Sequence, residues 1–367
     1  MKKYIALLLS VVFITLALIS CGETKPSETT SQNTSVTTSV TTASATSTEV
    51  TTPQTTESKV TRPPETTSAS TRIDYPVHPA PELNEDDIKN HVKMPLWGDG
   101  EQLCEIEDEK VKAKFYKQAT IAAYIVDGAD SCVVIFPGGG YTTITEAEGA
   151  NIAKAYNEKG ISAFVCYYRC NYYADNTKTT MGYTKEAFLA DGQRAVRFAR
   201  YYAPQFGIDP NKIAVCGFSA GGHLAMIVCQ HPAEISYEDE INTVSSVPNA
   251  CILGYAVTDL TPGMSTQTSQ HFFASEEERT DPDMIAKYSY RYAPASMPPT
   301  YIWYGEKDTT VNFNVCSIDC AKAFEDAGVT VEIEGFAGIG HAAALATGTA
   351  AEVWLEHSVE FIAKAFE

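Results

Sequence analysis

Residues 213–224 read Ile213-Ala214-Val215-Cys216-Gly217-Phe218-Ser219-Ala220-Gly221-Gly222-His223-Leu224. The first four form a short apolar run of the kind a buried strand needs. The residues from Ala220 open a helical stretch, Ala220–Gln230. Between them Gly217-Phe218-Ser219-Ala220-Gly221 matches Gly-x-Ser-x-Gly. A sharp strand-to-helix turn forces its serine into a strained conformation, and the flanking glycines avoid the clashes a side chain would make there. Ser219 is therefore a candidate nucleophile; a glycine-rich structural turn is the alternative.

The same grammar extends in both directions. Apolar runs occur at 121–126, Cys132–Phe136, 162–168, 213–217, 250–257, 300–304 and 329–333. Helical patterns fall between and after them, at 146–159, Lys185–Tyr202, Ala220–Gln230, 314–327 and 351–366. Strands alternating with helices predict an α/β class domain built on a mostly parallel sheet with flanking helices, since parallel strands need crossover connections. The stretch 258–299 breaks the rhythm. It is rich in Ser, Thr, Asp, Glu and Pro, and reads as an insertion capping one end of the sheet.

A serine hydroxyl needs a base. Of the seven histidines, His341 follows the last apolar run, in Gly338-Ile339-Gly340-His341, where a base on a loop near the C-terminus is expected. His357 lies inside the final helical pattern, and His223 sits on the helix that follows Ser219. A base needs a carboxylate to fix its tautomer and stabilise the imidazolium. Asp308 follows the run 300–304 and would lie at the C-terminal edge of the sheet; the rival is Asp259, after the preceding strand. The resulting order is Ser219, Asp308, His341. Phe136-Pro137-Gly138-Gly139-Gly140-Tyr141 supplies a loop whose amides can approach an oxyanion closely, with Gly139 and Gly140 as donors alongside the N–H of Ala220. Tyr141, His223 and Asp259 are the candidate substrate-pocket residues. No cofactor is called for. No metal site is read either, because Cys316 and Cys320, one helical turn apart, lack a second pair. Gly338-Ile339-Gly340-His341-Ala342-Ala343 fits a degenerate dinucleotide fingerprint, but no βαβ unit accompanies it.

The chain has 367 residues, is 44% hydrophobic and carries a formal net charge of −19. That acidity argues against a nucleic-acid partner, which needs Lys/Arg clusters, and leaves a neutral polymer or a small ester as substrate. Lys2 and Lys3 precede an apolar run that is short for a membrane span. Leu18-Ile19-Ser20-Cys21-Gly22 resembles the bacterial lipobox. The resemblance implies a signal peptide over 1–20, lipidation of Cys21, and a lipid-anchored protein on the outer face of a bacterial membrane. Residues 21–74 are dominated by Thr and Ser and read as a disordered stalk; 75–367 would be the catalytic domain. Ten cysteines less Cys21 leave an odd number, so at least one stays outside any intramolecular pair.

Together these pieces resemble the α/β-hydrolase superfamily. Within it they are similar to the bacterial acetylxylan esterase and feruloyl-esterase-like carbohydrate esterases. The resemblance runs from about Met94 to Glu367. Met94-Pro95-Leu96-Trp97 looks like the lead-in of that group, Phe136–Tyr141 like its oxyanion loop and Tyr168-Arg169 like the end of its next strand. Asp191-Gly192-Gln193-Arg194-Ala195 is similar to its helix before the nucleophile, and the segment from Gly217 to Leu224 to its elbow. Pro137 stands where many esterases have His, and 258–299 matches no pattern of the group. The resemblance implies a serine esterase that deacetylates xylan-like polymers through Ser219, His341 and Asp308. A general short-chain esterase or lipase, a serine peptidase of the prolyl-peptidase type and a non-catalytic carbohydrate-binding lipoprotein are the other readings. Glu276-Glu277-Glu278-Arg279 in the insertion argues against a greasy lipase lid.

Overall fold

In the computed structural model the apolar runs become the strands of one sheet. The structure describes residues 83–98, 118–173, 180–232, 239–294 and 296–367. The leader, Cys21, the Thr/Ser-rich stretch and Cys104 lie outside the described residues. In chain order the elements are α1 (Glu85–Lys89), β1 (Met94–Pro95), β2 (Thr120–Tyr124), β3 (Cys132–Phe136), α2 (Ala150–Glu158), β4 (Ser162–Tyr167), β5 (Tyr172–Tyr173), β6 (Thr180–Met181) and α3 (Lys185–Tyr202). There follow β7 (Ile213–Phe218), α4 (Ala220–Gln230), β8 (Ala250–Gly254), α5 (Thr266–Phe272), α6 (Glu276–Thr280), α7 (Pro282–Lys287), β9 (Thr300–Gly305), α8 (Cys320–Asp326), β10 (Val331–Phe336) and α9 (Trp354–Ala365).

The main sheet has eight strands in the order β1-β2-β4-β3-β7-β8-β9-β10, and β5 and β6 form a separate antiparallel pair. From β4 to β10 every neighbouring pair is parallel, while β1 and β2 are joined antiparallel. Parallel strands covered on both faces have no polar side, which is why their sequences are unbroken apolar runs. Alternate residues divide between two cores. Cys132, Val134 and Phe136 of β3 face α3 and α4, whereas Val133 and Ile135 face α2 and α9. The edge strand β10 differs. Glu332 is exposed on it and Glu334 half-buried, and charges of this kind discourage pairing with a second sheet edge.

Several boundaries depart from the sequence reading. The helix expected over 146–159 is broken at Gly149 (φ −100°, ψ −97°) into a 3₁₀ turn, Glu146–Glu148, and α2. The strand expected over 250–257 stops at Gly254, because Tyr255 turns into positive φ. The last strand begins two residues later than its apolar run, since Gly328 at φ 88° ends α8 and the chain needs Val329 and Thr330 to reach the sheet. Residues Asn314–Asp319 form a π-helical lead into α8.

Three motifs far apart in sequence meet in the core. Arg169, just past β4, donates from Nε and Nη2 to the two oxygens of Asp191 on α3, at 2.8 and 2.7 Å. Trp97 Nε1 donates to the same carboxylate at 2.7 Å. Both charged side chains are fully buried, and the Arg194 guanidinium lies 5.2 Å from the Trp97 ring. A paired, fully hydrogen-bonded charge is tolerable inside a protein; half of one is not.

The insertion 258–299 supplies α5, α6 and α7, and buried polar contacts tie it to the body. His223 Nε2 lies 2.9 Å from the carbonyl of Tyr288. A carbonyl can only accept, so Nε2 carries the proton and Nδ1 accepts from Tyr141 Oη at 2.8 Å. Within the insertion, Asp259 pairs with Arg291 at 2.5 Å and accepts from the Thr261 N–H at 2.8 Å. Eight cysteines are described, seven of them buried.

Two outcomes are expected. Asp191→Asn leaves the Arg169 charge buried without its partner and should cost about 3–5 kcal/mol of unfolding free energy, read as a lower urea midpoint. Burial pushes the His223 imidazole down to about 4, below its unfolded value near 6.5. The unfolded chain therefore binds the extra proton. His223 contributes fully above pH 6.5, and that contribution, about 3 kcal/mol, is lost as pH falls towards 4. Urea unfolding of His223→Gln should show a shallower loss of stability over that window than the parent; equal slopes would refute the assignment.

Candidate active site

The C-terminal ends of β3, β7, β9 and β10 bring the chemistry to one edge of the sheet, where open α/β sheets hold their ligands. Ser219 sits between β7 and α4 at φ 52°, ψ −122°. This conformation survives because its neighbours lack side chains. A Cβ on Gly217 would lie 2.2 Å from the Gly221 carbonyl oxygen, and one on Gly221 would lie 2.1 Å from that of Phe136. The Ser219 N–H donates to the Gly254 carbonyl at 3.1 Å, and its own carbonyl accepts from Val257 N–H at 3.0 Å. The serine backbone is thus clamped by the end of β8.

His341 reaches Ser219 from the loop after β10. Its Nε2 lies 2.9 Å from Ser219 Oγ and its Nδ1 lies 2.6 Å from Asp308 Oδ2. The carboxylate accepts from Nδ1–H, which leaves Nε2 as the acceptor for the serine hydroxyl. Asp308 is itself fixed, because Oδ1 accepts from the N–H groups of Thr310 and Val311 at 2.8 and 2.9 Å. The imidazole is 15% exposed and the carboxylate 1%, so water reaches the His341 ring but not the Asp308 carboxylate. Gly305, the last residue of β9, lets the two loops meet. A Cβ there would fall 2.3 Å from the Ile339 carbonyl oxygen, which accepts from Lys307 N–H at 2.8 Å.

Gly139 and Gly140 line the cavity over Ser219, at φ 131° and 63°. The N–H of Ala220 belongs to the first turn of α4, whose leading amides have no partner within the helix. A hydroxyl, an imidazole and a carboxylate in hydrogen-bonded series beside such amides can activate an oxygen nucleophile and receive an oxyanion.

That cavity has a volume of about 430 Å³. Its walls are Thr143, Thr145 and Glu148 after β3, Ser265, Gln267 and Thr268 from the insertion, and Thr310 and Ala342 beside Asp308 and His341. The sequence reading missed these wall residues. Nothing in a Thr- and Ser-rich insertion distinguishes the hydroxyls that face a cavity from those that face solvent. Glu148 was missed for a sharper reason. It sits in an acidic run that reads as a solvated helix face, yet it is 1% exposed. Its carboxyl accepts from Gly138 N–H and from Tyr255 Oη, both at 2.7 Å. Burial pushes its pKa up against the opposing pull of those two hydrogen bonds.

The expected substrate-pocket residues Tyr141, His223 and Asp259 do not line this cavity. Tyr141, at φ 60°, turns its ring inward against Phe188 and Phe272. It is fully buried, as are His223 and Asp259. Tyr141 and His223 hold the insertion from behind through the Tyr288 carbonyl, and Asp259 belongs to the insertion itself. His357 pairs with Glu334 of β10 at 2.8 Å.

Known proteins agree with this architecture. The BD-FAE family profile matches residues 125–324. An acetylxylan esterase of Xylanibacter ruminicola is 30% identical over 200 residues, 53% of this chain and 37% of that protein. An endo-1,4-beta-xylanase B of Butyrivibrio fibrisolvens is 30% identical over 182 residues, 49% of this chain and 27% of that protein. The chain thus spans about a quarter to two fifths of the length of these curated relatives. Among solved structures, the acetyl ester-xyloside bifunctional hydrolase of Caldicellulosiruptor lactoaceticus superposes with a TM-score of 0.63 at 28% identity, covering 75% of this chain and 96% of that one. Esterase 2 of Thermogutta terrifontis superposes at 0.54 and 26% identity, covering 68% and 90%. With more than half of its length matched and its strands in α/β-hydrolase order, the chain belongs to the BD-FAE family.

Proposed function

We propose that this protein is a serine carboxylic-ester hydrolase that removes acetyl groups from xylan-like polysaccharides or oligosaccharides. The observation that carries the reading is the hydrogen-bonded series from Ser219 Oγ through His341 to Asp308, open to a cavity bordered by the Gly139 and Gly140 backbone. In this reading Ser219 Oγ attacks the ester carbonyl while His341 Nε2 takes its proton. Asp308 stabilises the imidazolium. The N–H groups of Gly139, Gly140 and Ala220 receive the oxyanion, each worth about 3 kcal/mol of barrier lowering. His341 then returns the proton to the departing alcohol oxygen, and water, activated by the same imidazole, hydrolyses the acyl-enzyme.

The substrate class follows from the walls. Hydroxyls and one carboxamide from Thr143, Thr145, Ser265, Gln267, Thr268 and Thr310 surround Ser219. Such walls suit a small acyl group on a hydroxylated leaving group and suit a long acyl chain poorly. A neighbouring cavity of about 350 Å³ shares Thr143 and mixes hydroxyls and amides, such as Gln118, Thr120 and Asn171, with the Tyr167 and Tyr168 rings and the Lys93 and Glu146 charges, polar and aromatic groups that a sugar chain can use. The named activities of the acetylxylan esterase and the acetyl ester-xyloside hydrolase point the same way. Lipidation at Cys21 followed by the Thr/Ser-rich stretch would hold the domain outside a bacterial membrane, where such a polymer is found.

Acetate release from acetylated xylan, beside hydrolysis of a small aryl acetate, tests the reading. Ser219→Ala should lower kcat roughly 10⁴–10⁶-fold on both substrates. Full turnover in that variant would refute the nucleophile. Cleavage of the aryl acetate alone would keep the esterase and exclude xylan. Asp308→Asn presents the wrong imidazole tautomer and should lower kcat by about 10³–10⁴, with KM nearly unchanged.

A further inference from the structure

Glu148 is a carboxylate almost wholly inside the protein, beside the nucleophile, with no lysine or arginine paired to it among the described residues. Burying a charge without a countercharge is unfavourable, and groups of this kind collect where function requires them. Its two oxygens serve two different loops. Oε2 accepts from Gly138 N–H at 2.7 Å. The fit is tight enough that a Cβ on Gly138 would stand 2.7 Å from that oxygen. Oε1 accepts from Tyr255 Oη at 2.7 Å. The phenol oxygen in turn accepts from the Ala344 N–H at 3.0 Å, and the Tyr255 ring packs 5.1 Å from the His341 imidazole. Gly138 starts the loop of the two glycine amides, and Ala344 lies three residues beyond His341.

We propose that Glu148 is a positioning residue of this site. It holds the oxyanion loop with one oxygen and, through Tyr255, the His341 loop with the other, and so sets the distance between oxyanion donors and base. The proposal rests on the esterase reading. A carboxylate suits the task because it offers two acceptors in one plane, whereas a carboxamide offers only one. Glu148→Gln keeps one acceptor and turns an N–H₂ towards the other loop, so it weakens that tie by taking away the acceptor of the Tyr255 O–H. Tyr255→Phe releases the His341 loop and leaves the Gly138 bond in place.

The test uses the full-length protein with an aryl acetate, and in parallel the rate at which a fluorophosphonate labels the serine, a readout that does not depend on the natural substrate. Each single variant should lower kcat and the labelling rate about 10–100-fold, as a displacement of near 1 Å does, with KM within about twofold of the parent. The double variant should be no more than about threefold worse than the poorer single, because both changes cut one linkage. Glu148 variants with parental kcat, losses that multiply in the double variant, or losses confined to KM would overturn the proposal. If Glu148→Gln does not fold, Tyr255→Phe decides the outcome alone by the same kcat and KM criteria. Ser219→Ala separates the two claims. A dead Ser219→Ala beside fully active Glu148 and Tyr255 variants removes only the positioning role, while an active Ser219→Ala removes the esterase reading and the proposal with it.

Discussion

The arrangement depends on one unfavourable backbone conformation. A serine at φ 52° and ψ −122° is strained, and the fold holds it there by steric exclusion and by hydrogen bonds from outside the turn. The exclusion comes from Gly217 and Gly221, whose missing side chains let β7 and α4 approach the Phe136 and Gly221 carbonyls. The hydrogen bonds come from the end of β8, at Gly254 and Val257. Every other part of the site is measured from that point. The Asp308 and His341 loops leave the two strands beyond β8, and the glycine loop leaves the strand on the other side. The parallel order β3-β7-β8-β9-β10 is what lets four separate loops converge on one serine.

A strained turn needs a rigid frame, and a second interaction supplies it. The Arg169–Asp191 pair with Trp97 joins the end of β4, the middle of α3 and the segment after β1. Neighbouring side chains extend this buried polar layer. Arg194 pairs with Asp239, and Arg200 donates to the carbonyls of Pro210 and Val247. Long cationic side chains on one helix thus reach the loops that lead into β7 and β8. The result explains why α3 is buried along most of its length despite carrying three arginines.

The sheet and its flanking helices were legible because the buried parallel strands have no polar face to interrupt the run. The boundaries that moved did so where a single residue changed direction. Gly149 split one helix, Tyr255 cut one strand short, and Gly328 delayed another. Ser219, Asp308 and His341 were legible because each follows a strand and carries chemistry that the others complete, and the structure brings all three within hydrogen-bond distance. Glu148 was not legible. Glu146 and Glu148 look equivalent in the sequence, yet the Glu146 side chain is 65% exposed beside Lys93 and Glu148 is enclosed. Only the path of the glycine loop separates them. Tyr141 and His223 failed in the opposite sense. Their polar atoms suggested a pocket, and the fold uses those atoms to fasten the insertion to α4.

That fastening bears on what the site can recognise. The insertion contributes Ser265, Gln267 and Thr268 to the cavity wall, and Gln267 Nε2 donates to Thr142 Oγ1 across the glycine loop at 3.2 Å. A Cβ on Gly140 would lie 2.8 Å from the Gln267 carboxamide carbon, so the insertion rests directly on the glycine loop. In the proposed reading, substrate selection and oxyanion geometry therefore share a surface. An insertion of different length or composition could not be exchanged here without disturbing Gly140. The buried tie between His223 and the Tyr288 carbonyl keeps the two in register. Specificity in this protein is best understood as a property of how the insertion is anchored, and not of the wall residues alone.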